Sequence, residues 1–380
     1  MRIAVVSNTA WYLFNFRLNL MLALKAAGHT VVAVAPLDDY ASRISAAGIE
    51  FKAIPLSGSG TNPWSELRSV IKLLSIFTHG INGHRIDMVL SYTPKGNLYS
   101  ALACQVAGMA YVPNISGLGR AFIKKSMVTL VVKALYRLTM KRALHVFFQN
   151  NEDMASFVEA GLVKADRAER LPGSGVDLKR FQIAPWPAER SPNGLTFLLV
   201  CRMMWDKGVG EYVEAARQVR TLFPNARFQL LGFLDVANPS AISRQQMNAW
   251  EAEGIVTYFS PTDDVRPFMA NADCVVLPSY REGVPRTLLE AGAMARPVIT
   301  TDAPGCRDTV LDGKTGFLCH VANAQDLAQK IMQFILLTHE QRQEMGRQGR
   351  IFVENLFDEQ IVLDRYLQLV KSAEGRSGRL

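Results

Sequence analysis

Short runs of β-branched and apolar residues recur along this chain, with helix-like patterns filling the intervals. RIAVVS, HTVVAVA, FKAIPL, IDMVLS, YVPNIS and HVFFQ occupy the first half, and LTFLLVC, RFQLLG, IVTYFS, DCVVLPS, RPVITT and GFLC the second. A strand covered by helices on both faces is apolar throughout, and strands separated by helices build βαβ units. The pattern therefore predicts an α/β fold with parallel sheets. At 380 residues the chain is longer than one core usually holds. The second series of strands starts after QIAPWPAERSPNG, Gln182 to Gly194, a Pro-rich polar stretch that reads as a linker. Two doubly wound, Rossmann-like domains are expected, at residues 1–182 and 183–355. A C-terminal helix at 356–380 is expected to cross back onto the first domain. No short-period repeat or low-complexity tract interrupts this organisation.

Charge and cysteine content narrow the partners. Forty-two Lys+Arg against 34 Asp+Glu give a net charge of +8, which favours anionic partners such as phosphates, nucleic acid or anionic lipid. Cys104, Cys201, Cys274, Cys306 and Cys319 are odd in number and lack a CxxC spacing, so neither a disulfide framework nor a zinc site is indicated and a reducing cytoplasm is expected. The opening MRIAVVSNTAWY carries an apolar run too short for a signal-peptide core or a membrane span. The six histidines, at 29, 79, 84, 145, 320 and 339, show no metal-ligand pair and no triad spacing.

Ligands of doubly wound sheets bind beyond the carboxyl ends of strands, so the residues after RIAVVS, LTFLLVC and DCVVLPS carry the functional weight. After DCVVLPS comes YREGVPRTLLE. Pro285 suits the first turn of a helix, because its missing N–H would be unpaired there anyway. The free N–H groups around Gly283, Val284, Pro285, Arg286 and Thr287 then suit a phosphate. Glu282 and Glu290 flank that helix start and supply acceptors for the hydroxyls of a ribose or a sugar. Alone, such a pair reads as a solvated loop acid and a surface helix acid. At the equivalent place after LTFLLVC, CRMMWDKGV provides Arg202 and Lys207, cations suited to a leaving diphosphate.

EGVPRTLLE, CRMMWDKG, LPGSGVDLKRF and TDAPGCRDTVLDGKTGFL together resemble the retaining glycosyltransferases of family 4, and the likeness covers nearly the whole chain. The resemblance implies a GT-B fold, two domains facing a cleft, and a nucleoside diphosphate sugar, UDP-linked, as donor. It implies that Glu290 holds the ribose hydroxyls, that Glu282 contacts the donor sugar, and that Arg202 and Lys207 grip the diphosphate. SYTPKGNLYSALACQVAGMAYVPNISGLGRAF is similar to a subgroup that builds polysaccharides and lipid-linked oligosaccharides with hexose or N-acetylhexosamine units. A glycan or lipid-linked saccharide acceptor is implied in turn, with no nucleic acid, no metal and no cofactor. Two alternatives share these features: a sugar-nucleotide epimerase, and a non-catalytic sugar-nucleotide-binding protein.

The chain departs from the family pattern in two places. SNTAWYLFNFR replaces the Gly-Gly loop after the first strand, so Thr9, Ala10 and Trp11 are expected near the donor phosphates. The NISGLG turn, with Ser116, stands where a donor-side histidine often lies. Lys95 and Asn97 in TPKGN either meet donor or acceptor or cap the next helix. GSGTNPW, Gly58 to Trp64, is either an ordinary connection or an acceptor loop. In the segment from Ile123 to His145, Lys133, Arg137 and Lys141 recur at i, i+4 and i+8 on one helical stripe, with Lys124, Lys125 and Arg142 adding charge. This segment is either a half-buried helix with a solvated basic face or a surface for an anionic membrane. The second reading places the protein peripherally on the inner face of the cytoplasmic membrane.

Overall fold

The structure, a computed structural model, describes residues 1–56, 63–80, 83–117, 127–187 and 194–377. Most of the Gly58–Trp64 loop, together with Lys124 and Lys125, therefore lies outside the described residues. Two compact units form: Met1–Ser174 with Gln360–Leu380, and Gly175–Glu359.

In the first unit, β1 (Arg2–Val6), β2 (Thr30–Ala35), β3 (Glu50–Ala53), β4 (Met88–Tyr92), β5 (Ala110–Ile115), β6 (Val146–Phe148) and β7 (Ala168–Arg170) form a sheet in the order β3-β2-β1-β4-β5-β6-β7. Every pairing is parallel. β1 shows why its strands are apolar throughout. Ala4 and Val6 enter one core while Ile3 and Val5 enter the other, so successive side chains are buried on opposite faces. The helix Glu359–Ser377 supplies Val362, Tyr366, Val370 and Ala373 to the core that holds Ile3 and Val5. Its Arg365 grips Glu169 of β7 through two bonds of 2.5 and 2.6 Å.

In the second unit, β8 (Thr196–Val200), β9 (Arg227–Leu231), β10 (Thr257–Phe259), β11 (Cys274–Leu277), β12 (Val298–Thr301) and β13 (Gly316–Cys319) run parallel in the order β10-β9-β8-β11-β12-β13. Phe197 and Leu199 face one core and Leu198 the other. Val176, Phe181 and Ala184 are buried within this unit. Val176 forms a parallel bridge with Asp358, so the two segments where the chain passes between units are hydrogen-bonded to each other. β7 is the strand that sequence pattern missed, being three residues long, charged and at a sheet edge.

Candidate functional site

The strand order of the second unit reverses between its neighbours β8 and β11, the point where ligands bind in sheets of this kind. The loops following these strands lock together. Gly208 adopts φ 72°, and a Cβ there would strike the carbonyl of Pro278. The backbone N–H of Tyr280 donates to the carbonyl of Asp206 at 3.0 Å, and the Ser279 hydroxyl donates to the same oxygen at 3.2 Å. A third loop, after β12, presses on them from Gly305 at φ 79°, where a Cβ would strike the carbonyl oxygens of Glu282 and Gly283. The Glu282 N–H donates to the Pro304 carbonyl at 3.1 Å. Three loops therefore hold the backbone at Glu282 in one position.

Lys207 and Glu282, expected to act on different parts of a donor, form an ion pair with each other. Burial pulls the Lys207 ammonium down, but the Glu282 carboxylate outweighs it and holds the group above its ordinary range. Arg202 is exposed, and its charge opposes that of Lys207. The helix runs Arg286–Ala293, so Pro285 precedes the first turn as its N-cap and no side chain caps the helix start. Gly283 is buried and Val284 half-buried. Thr287 spends its hydroxyl on the Val200 carbonyl at 3.2 Å, tying the helix to β8. Arg286 Nε lies 2.9 Å from Glu290 Oε1, with both side chains under 20% exposed, at 17% and 13%. Burial raises the Glu290 carboxyl above its ordinary value, while Arg286 and Arg180 oppose the rise. The ensemble offers cations, an uncapped helix start and two carboxylate acceptors within one rigid loop set, a combination suited to a diphosphate joined to hydroxylated groups.

The first unit has its own reversal between β1 and β4. Thr9 caps the helix Ala10–Ala26 by accepting the Tyr12 N–H, and Trp11 donates its N–H to Asp38 at 3.0 Å. Ala10 and Trp11 therefore lie in the first turn of this helix rather than in a loop. Thr93, the N-cap of the helix Pro94–Ala107, sits at φ 67° and ψ 152°. That region is essentially reserved for glycine and costs a β-branched residue about 1–3 kcal/mol. Gly96 packs its Cα face against Thr93 and Ser7. Lys95 pairs with Glu66 at 2.6 Å. Asn97 is 1% exposed, accepting from Ser91 at 2.9 Å and donating to the Asn114 carbonyl at 2.8 Å. It joins the elements beneath the edge and does not face solvent. Ser116 is half-buried just past β5.

Sequence reasoning missed the buried polar group under this edge. Arg17 is 1% exposed among Tyr12, Tyr92 and Tyr366. A signal was present: Arg17 shares the helical stripe of Leu13, Leu20, Met21 and Leu24, all buried. An arginine on an apolar stripe marks a buried charge. Among the described residues no group of three or more His, Cys, Asp or Glu side chains converges as a metal site.

Models of two families match this chain, Glycosyl transferase 4-like domain over residues 16–174 and Glycosyl transferases group 1 over 183–352. It is 28% identical to the N,N'-diacetylbacillosaminyl-diphospho-undecaprenol alpha-1,3-N-acetylgalactosaminyltransferase of Campylobacter jejuni, over 97% of this chain and 98% of that one. It is 25% identical to the capsular polysaccharide biosynthesis glycosyltransferase CapM of Staphylococcus aureus, over 82% and 84%. Its fold is similar to Anabaena HepE solved in complex with UDP-glucose, at a TM-score of 0.77, 17% identity and coverage of 99% and 100%.

Proposed function

The chain belongs to the family 4 glycosyltransferases and has the GT-B fold, and we propose that it moves a hexose or N-acetylhexosamine from a UDP-sugar to a polyprenyl-diphosphate-linked saccharide, with retention at the anomeric carbon. The observation that carries this reading is the loop set of the second unit, where Arg202 and Lys207 stand beside an uncapped helix start flanked by Glu282 and Glu290. A transferase of this class must stabilise the negative charge that grows on the diphosphate as the glycosidic bond breaks, and fixed cations do so without reorganisation. Arg202 and Lys207 take that role, with the backbone N–H groups of Val284, Arg286 and Thr287 at the helix start holding phosphate oxygens. Glu290 accepts the ribose hydroxyls, and Glu282 exchanges its bond to Lys207 for one to the donor sugar. The lipid-diphosphate acceptor is supported by the name of the Campylobacter relative, and the UDP-linked donor by the ligand of the Anabaena structure.

A panel of nucleoside diphosphate sugars, assayed for nucleoside diphosphate release with and without polyprenyl-diphosphate-linked saccharides, tests the reading. Acceptor-stimulated release of UDP and an α-configured product from an α-linked donor are expected. Stimulation by no lipid-linked acceptor, or a product of inverted configuration, removes the corresponding part.

A further inference from the structure

Three arginines of the described residues are almost fully buried, and two of them are provided for in the usual way. Arg296 donates to carbonyl oxygens of Met269, Pro185 and Ala270 at 3.2, 2.6 and 2.8 Å, and Arg342 to those of Ile335 and Leu337 at 3.2 and 3.0 Å. Arg17 is different. Its acceptor is a tyrosine hydroxyl in place of the carbonyl oxygens that serve the other two, and among the described residues no carboxylate pairs with it. Its guanidinium lies 4.2 Å from the Tyr92 ring centroid and 5.8 Å from that of Tyr12, and Nη2 donates to the Tyr12 hydroxyl at 3.3 Å. Aromatic faces attract a cation, but they do not supply the acceptors that five N–H groups require.

The surroundings carry further buried polar groups. Gln149 donates to the Asn114 side-chain oxygen at 3.3 Å, and Asn114 donates onward to the Tyr366 hydroxyl at 3.2 Å. The Ser7 hydroxyl, fully buried just past β1, has no partner. Ser7 follows β1 and Tyr92 ends β4, where the first sheet reverses its order, while Asn114 and Gln149 lie at the ends of β5 and β6. Tyr12 is the member that is only half-buried. Because its hydroxyl oxygen accepts from Arg17, its own hydrogen remains to be donated, polarised by the charge behind it. The missing component is an acceptor carrying negative charge.

We propose that the carboxyl edge of β1 and β4 is an anion site in which the Tyr12 hydroxyl binds the ligand and Arg17 is the buried positioning charge behind it, and that the anion is the diphosphate of the lipid-linked acceptor. The assignment to the acceptor rests on the reading under Proposed function, whereas the anion site itself does not. The donor has a diphosphate of its own, so the two sources are to be separated by experiment.

The first arm uses the full chain carrying Arg202→Ala and Lys207→Ala, titrated with inorganic diphosphate by calorimetry. Residual binding that weakens with salt is expected, and Tyr12→Phe, which keeps the ring and its packing, should weaken it about tenfold, the scale of one hydrogen bond to a charged group. Arg17→Met should weaken it further. The second arm measures transfer in the otherwise unaltered chain: Tyr12→Phe should raise KM for the polyprenyl-diphosphate-linked acceptor about tenfold and leave KM for the UDP-sugar and kcat near their original values. Absence of residual binding, or residual binding indifferent to Tyr12→Phe, overturns the site. A rise in donor KM in place of acceptor KM overturns the assignment to the acceptor. A chain that transfers nothing but keeps the Tyr12-dependent diphosphate site separates failure of the transferase reading from failure of this one.

Discussion

The ammonium of Lys207 donates to the carboxylate of Glu282, joining the loop after β8 to the loop after β11. Each group is the other's counter-charge until a ligand intervenes. A diphosphate arriving at Lys207 must therefore compete with a carboxylate, and a sugar hydroxyl arriving at Glu282 must displace an ammonium. On the proposed reading, donor binding exchanges one charge-assisted contact for two.

Glu282→Gln should separate binding from chemistry. Removing the competing charge is expected to tighten UDP several-fold, while loss of the contact to the donor sugar lowers kcat by about a hundredfold. Arg202→Ala and Lys207→Ala should instead lower kcat more than donor affinity. Calorimetry with UDP and steady-state kinetics check these directions, and three variants with unaltered kinetics would remove the site assignment.

Glu290 provides a test through pH. Burial raises its carboxyl, so on acidification it takes up a proton above the ordinary carboxylate range. Donor affinity should fall there in the native chain, and Glu290→Gln, already neutral, should be weak at neutral pH and lack that titration. The stability sign is opposite. A carboxyl raised in the folded state costs the fold its ionisation, a cost absent below the unfolded value and complete above the folded one. Glu290→Gln should therefore melt higher than the native chain near neutrality and no higher below about pH 4.

Chelation should leave transfer largely intact, because the positive charge at the diphosphate is proposed to come from Arg202, Lys207 and a helix start. Incubation with EDTA followed by assay is sufficient. Activity that disappears and returns with a divalent ion would contradict this account.

Gly305→Ala tests the loop set from outside the ligand site. Its Cβ would meet two carbonyl oxygens at a backbone angle that suits glycine, costing about 1–3 kcal/mol of stability. The displacement falls on Glu282 and Gly283. kcat/KM should drop at least tenfold in a chain that still folds, because small misplacements at a reacting centre are costly. Gly313→Ala, whose added Cβ meets open space at a similar φ of 74°, is the matched control and should retain kcat/KM.

The exposed stripe of Lys133, Arg137 and Lys141 on the helix Met127–Met140 and the residues after it bears on membrane attachment. Among the described residues no helix is long and apolar enough to cross a bilayer. Each cation near an anionic leaflet contributes roughly 1 kcal/mol, and salt screens the attraction. Co-sedimentation with phosphatidylserine vesicles at low salt should fall when all three residues become Gln, with donor hydrolysis in solution unchanged. Equal sedimentation of the variant would make the stripe a solvated face only.

Strand positions and the loops at the second sheet's reversal were legible because they depend on local pattern: β8 and β11 are continuous apolar runs, and Gly208 and Pro285 punctuate the loops behind them. The pairings were not. Nothing in the spacing of Lys207 and Glu282, 75 residues apart, says that they meet. Asn97 read as a residue that meets a ligand or caps the next helix, yet its side chain is bonded inward to the Ser91 hydroxyl and the Asn114 carbonyl. β7 escaped notice because AER has no apolar run; its place depends on β6 beside it and on Arg365 nearly 200 residues away, 196 in sequence.

The return of the helix Glu359–Ser377 to the first unit sets an order on synthesis. Every strand of that unit has been translated once Ser174 is made, but Val362, Tyr366 and Val370 have not. At 5–20 residues per second, roughly tens of seconds pass before they emerge. Throughout that interval the face holding Ile3 and Val5 lacks the part of its cover that this helix provides, a time when a chaperone has apolar surface to hold. The second unit, contiguous from Gly175 to Glu359, has all its residues earlier. The half encoded first is thus the half completed last.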